Sequence, residues 1–268
     1  MSEKIFNKSE FDNKFCVNFN SRNSNIFKKI EKKLKSHSFC VVKRVVRSGD
    51  IKFLYSLFKK RFKSQKEIRK SGPWIFKMKD FKRLDLGDSY KNSRFSRCIT
   101  FCEWNKNNKK FYKVVNPIIN LRNELSRVKK KGYQYKNLNL FEKKKDRFIY
   151  CDFIRMLQYP SGGGFLAAHD DYEQNYPKKI INAILSVTSK IKKNKKHDIQ
   201  TYKSGGLYFV KNGFKINVED NVKSGDLVLF DQKIVHGVNS VNQNDIIKLN
   251  SMNGRISLAF SIGKFQIH

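Results

Sequence analysis

RFIYCDFIRMLQYPSGGGFLAAHDD (147–171) holds two apolar runs joined by a turn with three consecutive glycines, and it ends in a histidine beside two aspartates. Short apolar or alternating runs bounded by turn residues are strand signals. The same texture continues outward to the C-terminus: IINAILSVT (180–188), GGLYFV (205–210), KINV (215–218), DLVLFD (226–231), IVHGVNSV (234–241) and RISLAFSIG (255–263). Eight short strands in succession predict a β-sandwich or barrel over 147–268. VKNGF (210–214) and KSGDL (223–227) are expected to be tight hairpins. KIKKNKKHD (190–198) reads as a solvated loop between strands, with a rim of the site as the alternative.

The first 146 residues have a different character. Residues 1–23 are polar, rich in Asn and Ser, and carry no clear period. In NIFKKIEKKLKSH (25–37) the apolar residues Ile26, Phe27, Ile30 and Leu34 recur at helical spacing. SFCVVKRVV (38–46) predicts a strand, and SGD (48–50) caps a second helix through IKFLYSLFKKRF (51–62). The stretch 71–96 has loop chemistry, RCITFCEW (97–104) predicts a strand, and FYKVVNPIINLRNELSRVKKK (111–131) a helix that Pro117 either starts late or kinks. The expected organisation is a mainly β chain: residues 1–146 form an N-terminal α/β support packed on a core of 147–268, within one compact domain.

No run of 18 apolar residues occurs and the N-terminus has no apolar segment of the signal-peptide kind, so a cytoplasmic protein without a membrane partner is expected. The five cysteines are odd in number and scattered, as expected of reduced thiols; Cys98 and Cys102 lack the second Cys/His pair that a zinc site needs. The formal charge is +34. Lys far outnumbers Arg, so the excess fits either an AT-rich coding sequence or a real preference for acidic partners.

His169 and Asp171 are two residues apart on an extended segment, so their side chains share a face and Asp170 points away. A third ligand has to come from another strand. Of the five histidines, His37, His197 and His268 lie at a helix end, in the basic loop and at the terminus, which leaves His236 in IVHGV. Two histidines and a carboxylate make the set that holds a non-haem Fe(II) with three positions open. On the last strand Arg255 and Ser257 also share a face. An arginine inside a barrel needs an anion, and a dicarboxylate cosubstrate meets its planar fork, with Ser257 and Tyr159 as further donors.

The order YPSGGG, HDD, GGLYFVKNG, GDLVLF, HGV, RISLAF resembles the 2-oxoglutarate/Fe(II)-dependent oxygenases, in particular the branch with an HxD…H triad and an RxS motif, to which plant flavonoid oxygenases and isopenicillin N synthase belong. The resemblance spans 147–265. It implies a double-stranded β-helix (jelly roll, cupin-like) core flanked by helices, with Fe(II) held by His169, Asp171 and His236. It also implies 2-oxoglutarate anchored by Arg255 with Ser257 and Tyr159, and O2 as second cosubstrate. The implied activity is a dioxygenase reaction releasing succinate and CO2, with hydroxylation favoured over halogenation because related halogenases lack the carboxylate. Desaturation, cyclisation and demethylation stay open. Nineteen residues separate His236 from Arg255, longer than the family's usual spacing, and an extended hairpin in QNDIIKLNSMNG (243–254) is expected to absorb them.

Arg155, Leu157, Asn182 and Ile184, with Trp74 or Phe101 from the N-terminal half, are candidates for the cavity wall. The basic composition points to a small anionic or amino-acid-like substrate, with an acidic carrier protein and nucleic acid as other partners, nucleic acid not favoured. A basic nucleic-acid-binding module without catalysis leaves the ordered HxD, His and RxS unexplained, and a cupin with other ligand spacing leaves the RxS unexplained.

Overall fold

The computed structural model describes residues 2–19, 25–64, 79–87, 93–136, 147–172, 179–191 and 199–267. The N-terminal half begins with β1 (Glu3–Lys4), α1 (Lys8–Phe15), β2 (Cys16–Asn18), α2 (Ile26–His37), β3 (Phe39–Lys43) and α3 (Ser48–Ser64). It continues with β4 (Phe81–Gly87), β5 (Arg94–Phe101), α4 (Lys109–Leu125), β6 (Lys130–Lys131) and β7 (Gln134–Tyr135). The remainder is strand: β8 (Arg147–Pro160), β9 (Gly164–His169), β10 (Ile181–Ser186), β11 (Ser189–Lys190), β12 (Gln200–Tyr202) and β13 (Gly206–Lys211). It ends with β14 (Phe214–Asn217), β15 (Leu227–Asp231), β16 (Val235–Val241) and β17 (Gly254–Ile267). The eight strands expected from the sequence are β8 to β10 and β13 to β17.

These eight form two antiparallel rows, β8–β17–β10–β15 and β9–β16–β13–β14. Apart from the β13–β14 hairpin, consecutive strands of the set fall in opposite rows, which is the double-stranded β-helix. The N-terminal half contributes to both rows, because β3 pairs with β15 while β5 bridges β8 and β9. Strand alternation then sorts the side chains. Ile154 and Met156 on β8, with Ile256, Leu258 and Phe260 on β17, face a helix-covered core. Into that core α2 packs Ile30 and Leu34, α3 packs Ile51, Leu54 and Phe58, and α4 packs Phe111, Val115, Ile118 and Ile119. The other parity, Arg155, Leu157, Tyr159, Arg255, Ser257 and Ala259, faces a cavity between the rows.

Several expectations are corrected. Residues 1–23 are not without regular structure: α1 starts with a capping box between Asn7 and Glu10 and buries Phe11 and Phe15. Phe15 stacks on Phe39, a contact that no local period announces. Within 71–96, Phe81–Gly87 is a strand, formed by antiparallel pairing with β5. Helix α4 runs through Pro117 rather than starting at it, since its apolar stripe is buried on both sides of the proline. VKNGF is a hairpin, with Asn212 and Gly213 at positive φ as its tight turn requires. KSGDL is not one: it leads from the β14 row into β15 of the other row, and the Asp226 carboxylate accepts from the Lys223 and Arg44 amides. Residues 243–254 form no extended hairpin either, because β16 and β17 lie in opposite rows. Arg97 and Gln158, both buried, hold that loop by donating to the carbonyls of Ser251, and Gln158 also to that of Asn253. Residues 192–198 of the basic loop, with His197, and also Trp74 and His268, lie outside the described residues.

Among the described residues no helix is long and apolar enough to cross a membrane. All five cysteines are free, and burial pushes the thiols of Cys40, Cys102 and Cys151 up to about 12.

A buried ion network ties α4 to β8. Arg122 pairs with Asp152, both side chains fully buried, and Asp152 also receives Lys130 and the Tyr135 hydroxyl. Arg122→Ala, which leaves Asp152 buried with one cation fewer, is expected to lower the unfolding free energy by about 3–5 kcal/mol in denaturant titration. Burial raises the Asp152 carboxyl, but Arg122 and Lys130 outweigh it and hold it below its ordinary value. The pair's contribution is therefore present above an unfolded Asp value of about 3.9 and is lost as the pH falls through the lower folded value.

Candidate metal centre

His169 ends β9 and His236 sits one residue into β16, and the two are directly paired across the strands. Asp171 follows two residues after His169, with its amide donating to the Gln232 carbonyl at 2.9 Å. One ligand atom from each of the three lies within 4.8 Å of the others, the geometry of a single-ion site. His169 Nε2 is 3.6 Å from Asp171 Oδ1, and His236 Nε2 is 3.6 Å from Asp171 Oδ2. The imidazole centroids are 4.3 Å apart.

The orientation of both rings is set in the same way. His169 Nδ1 lies 2.9 Å from the Ala167 carbonyl and His236 Nδ1 lies 3.1 Å from that of Ile234. A carbonyl only accepts, so each Nδ1 carries the proton and each Nε2 is left as a lone-pair donor turned to the site. Phe230, with its ring centroid 4.7 Å from that of His236, walls the ring in. Asn182 donates from Nδ2 to Asp171 Oδ2 at 2.8 Å. Burial raises the Asp171 carboxyl, but the interaction with the adjacent His169 and His236 rings holds it far below the ordinary range. Burial pushes His236 down, whereas Asp171 outweighs burial at His169 and raises it. Asp170 accepts from the Tyr172 amide at 3.1 Å and so shapes the turn after β9.

Arg255 lines the same cavity, together with Tyr159, Leu157 and Ser257. Its Nη1 donates to Ser257 Oγ at 2.9 Å, and its ion lies 5.8 Å from the Tyr159 ring centroid. The sequence reading left Arg255 without a protein anion; the structure supplies one. Arg255 Nε donates to Glu219 Oε2 at 2.7 Å, and Glu219 also accepts from the Tyr202 hydroxyl and from the Leu207 amide at 2.7 Å. Gly206, at φ +114, gives Glu219 its space: a Cβ there would come within 2.2 Å of the Glu219 side chain. Arg255 Nη2 is buried with no hydrogen-bond partner among the described residues, on a side chain that lines the cavity.

Arg155, Leu157, Asn182 and Ile184 all line this cavity of about 220 Å³. Phe101 does not: it stacks on Phe111 at 4.1 Å in the helix-covered core, because Ile99 and Phe101 have the outward parity of β5. Arg94 and Ser96 of β5, and Arg83 and Asp85 of β4, line the cavity and had not been singled out. Their only sequence signal is charge alternating with other residues along two strands.

Solved structures share this architecture. A prolyl-4-hydroxylase from Pseudomonas putida is 12% identical over 87% of this chain and 96% of its own, with a TM-score of 0.50. The chain has the fold of the 2-oxoglutarate/Fe(II) oxygenases. An oxidoreductase of the 2OG-Fe(II) oxygenase family from Burkholderia pseudomallei is 7% identical, covering 95% of this chain and 96% of that one at a TM-score of 0.50. SnoN, a non-heme alpha ketoglutarate dependent epimerase from nogalamycin biosynthesis, is 10% identical over 90% and 84% at a TM-score of 0.51. No protein-family model and no curated protein matches the sequence.

The residues found between the two rows fit an iron centre with a dicarboxylate cosubstrate. Two neutral imidazoles and one carboxylate suit a divalent iron. The orphaned Nη2 of Arg255 suits the far carboxylate of a dicarboxylate cosubstrate. Asn182 acts on the metal through Asp171, so Asn182→Ala is expected to weaken Fe(II) binding about 10- to 100-fold, measured against a competing chelator, with the fold retained.

Proposed function

We propose that the protein is a non-haem Fe(II)- and 2-oxoglutarate-dependent dioxygenase that hydroxylates an unactivated C–H bond of a small anionic or amino-acid-like molecule. The supporting observation is that His169, Asp171 and His236 converge in a cavity that is also lined by a buried guanidinium with a nitrogen unpartnered among the described residues. Fe(II) bound to the triad, with 2-oxoglutarate and O2, would supply the oxidant for a C–H bond, releasing succinate and CO2. The chain's own contribution is placement. Ala167 and Ile234 fix the ring orientations, and Asn182 holds the Asp171 carboxylate in place by a hydrogen bond. Glu219, Tyr202 and Ser257 hold Arg255 in position. Leu157, Leu166, Val238 and Phe230 line an apolar wall that limits water.

An epimerase of this fold shows that the architecture accommodates outcomes other than hydroxylation. In this reading 147–268 is the catalytic core, 1–146 is its support, and the free thiols suit a reducing cytoplasm.

The test is anaerobic titration of the full chain with Fe(II) and then 2-oxoglutarate. The expected result is a weak visible metal-to-ligand charge-transfer band that saturates with 2-oxoglutarate. A folded, iron-loaded protein that gives no such band would overturn the reading.

A further inference from the structure

Three arginines line the cavity wall, and two of them share one carboxylate. Arg83 Nε lies 2.7 Å from Asp85 Oδ1 and Arg94 Nε 3.4 Å from Asp85 Oδ2, so two guanidiniums share one acid. Arg155 has none. Among the described residues its contact is the Phe153 ring, 4.7 Å from its guanidinium carbon, and its Nε is buried without a hydrogen-bond partner. A part-buried guanidinium in that condition is costly unless a ligand pairs it.

Register places Arg155 where a substrate would meet it. It lies directly opposite Thr100 on β5 and Ala259 on β17, and Ala259 lies opposite Ile184 on β10. Thr100 and Ala259 are small, which leaves the space beside the guanidinium open. Arg255 lies opposite Tyr159, so along β8 the two arginine positions are four residues apart, about 13 Å at about 3.3 Å per residue. One short dicarboxylate cannot engage both with its far carboxylate. Arg155 lines the same cavity as His169 and Asp171.

Resting on the reading of the site as an Fe(II)/2-oxoglutarate centre, we propose that Arg155, flanked by Arg83 and Arg94, grips an oxyanion of the prime substrate. The substrate is thus an organic acid, a carboxylate or phosphate monoester, oxidised at a carbon near that group. Bidentate pairing with Arg155 fixes the oxyanion, and the charge that Asp85 leaves uncompensated on Arg83 and Arg94 draws it in. Neutral and cationic molecules of the same shape are rejected, because they leave Arg155 desolvated and unpaired.

The test uses the full chain loaded with Mn(II) and saturated with 2-oxoglutarate, with inorganic phosphate in one arm and acetate in the other. Mn(II) accelerates nuclear relaxation steeply with proximity, so anions on surface lysines contribute little while one beside Arg155 is read directly. Saturable enhancement is expected for at least one probe, and the stronger arm tells phosphate from carboxylate. Arg155→Gln should weaken that probe about 10- to 100-fold, and Arg155→Lys should weaken it less. The same variants, loaded with Fe(II) anaerobically, should keep the wild-type 2-oxoglutarate affinity in the charge-transfer titration. No saturable enhancement in either arm, or equal enhancement in wild type and Arg155→Gln, overturns the proposal. A parallel loss of 2-oxoglutarate affinity also overturns it, by assigning Arg155 to the cosubstrate. Failure of the wild type to bind Mn(II) at all points instead to the metal reading, and is separately visible in the Mn(II) resonance.

Discussion

His236→Ala is expected to weaken Fe(II) binding by more than about 100-fold and to remove the 2-oxoglutarate-dependent charge-transfer band. Loss of an outer partner of a ligand costs about 10- to 100-fold, and loss of the ligand itself must exceed that. His236 has no other task that the metal would not need: its Nδ1 proton goes to the Ile234 carbonyl and its Nε2 faces the site. The ring is buried against Phe230 and Phe209, so the alanine leaves a void shaped for an imidazole. Added imidazole should therefore restore part of the band. Equilibrium dialysis with Fe(II) under argon, with thermal unfolding as the control for folding, measures the effect. Undiminished iron affinity in a folded variant would remove His236 from the site and leave a pair of residues too few to hold the ion.

Arg255→Ala should produce two losses that can be separated. The first is in 2-oxoglutarate affinity, expected to fall about 10- to 100-fold with the far carboxylate's charged partner gone. The second is in stability. Arg255 and Glu219 are an ion pair with both side chains about 2% exposed, and removing one member strands the other. Breaking such a pair costs about 3–5 kcal/mol, which for a chain of this size is a fall in midpoint on the order of 10 °C. Adding Glu219→Gln neutralises the stranded acid, while its amide oxygen can still accept from the Leu207 amide and its NH2 can donate to the Tyr202 oxygen. The double variant should regain most of the stability and none of the cosubstrate affinity. Recovery of both together would mean that Arg255 serves the fold alone.

The strands of the core were legible because each is a run of one or two faces bounded by turn residues, and the period of two is local. The parity of Arg255 and Ser257, and of His169 and Asp171, followed from the same rule. The same rule turns Phe101 away from the cavity, because Arg94, Ser96 and Thr100 carry the inward parity of β5. α1 was missed because Phe11 and Phe15 need Phe39 to be buried, and eight residues give too little period to stand out. β4 was missed because an edge strand is made by its neighbour.

The pattern of this chain determined by itself the number and order of the core strands, the outward and inward faces of β8 and β17, and the two histidines and the aspartate worth watching. Only the tertiary structure decided that His169 pairs across the strands with His236, that Asn182 holds Asp171, and that Glu219 meets Arg255. It also decided that Arg155 is left without an acid where Arg83 and Arg94 share one. The physical reason is range. Side-chain alternation and turn chemistry act over two to four residues and are written in the order of the letters. The pairing of buried charges depends on which strands become neighbours, and in a double-stranded β-helix consecutive strands lie mostly in opposite rows.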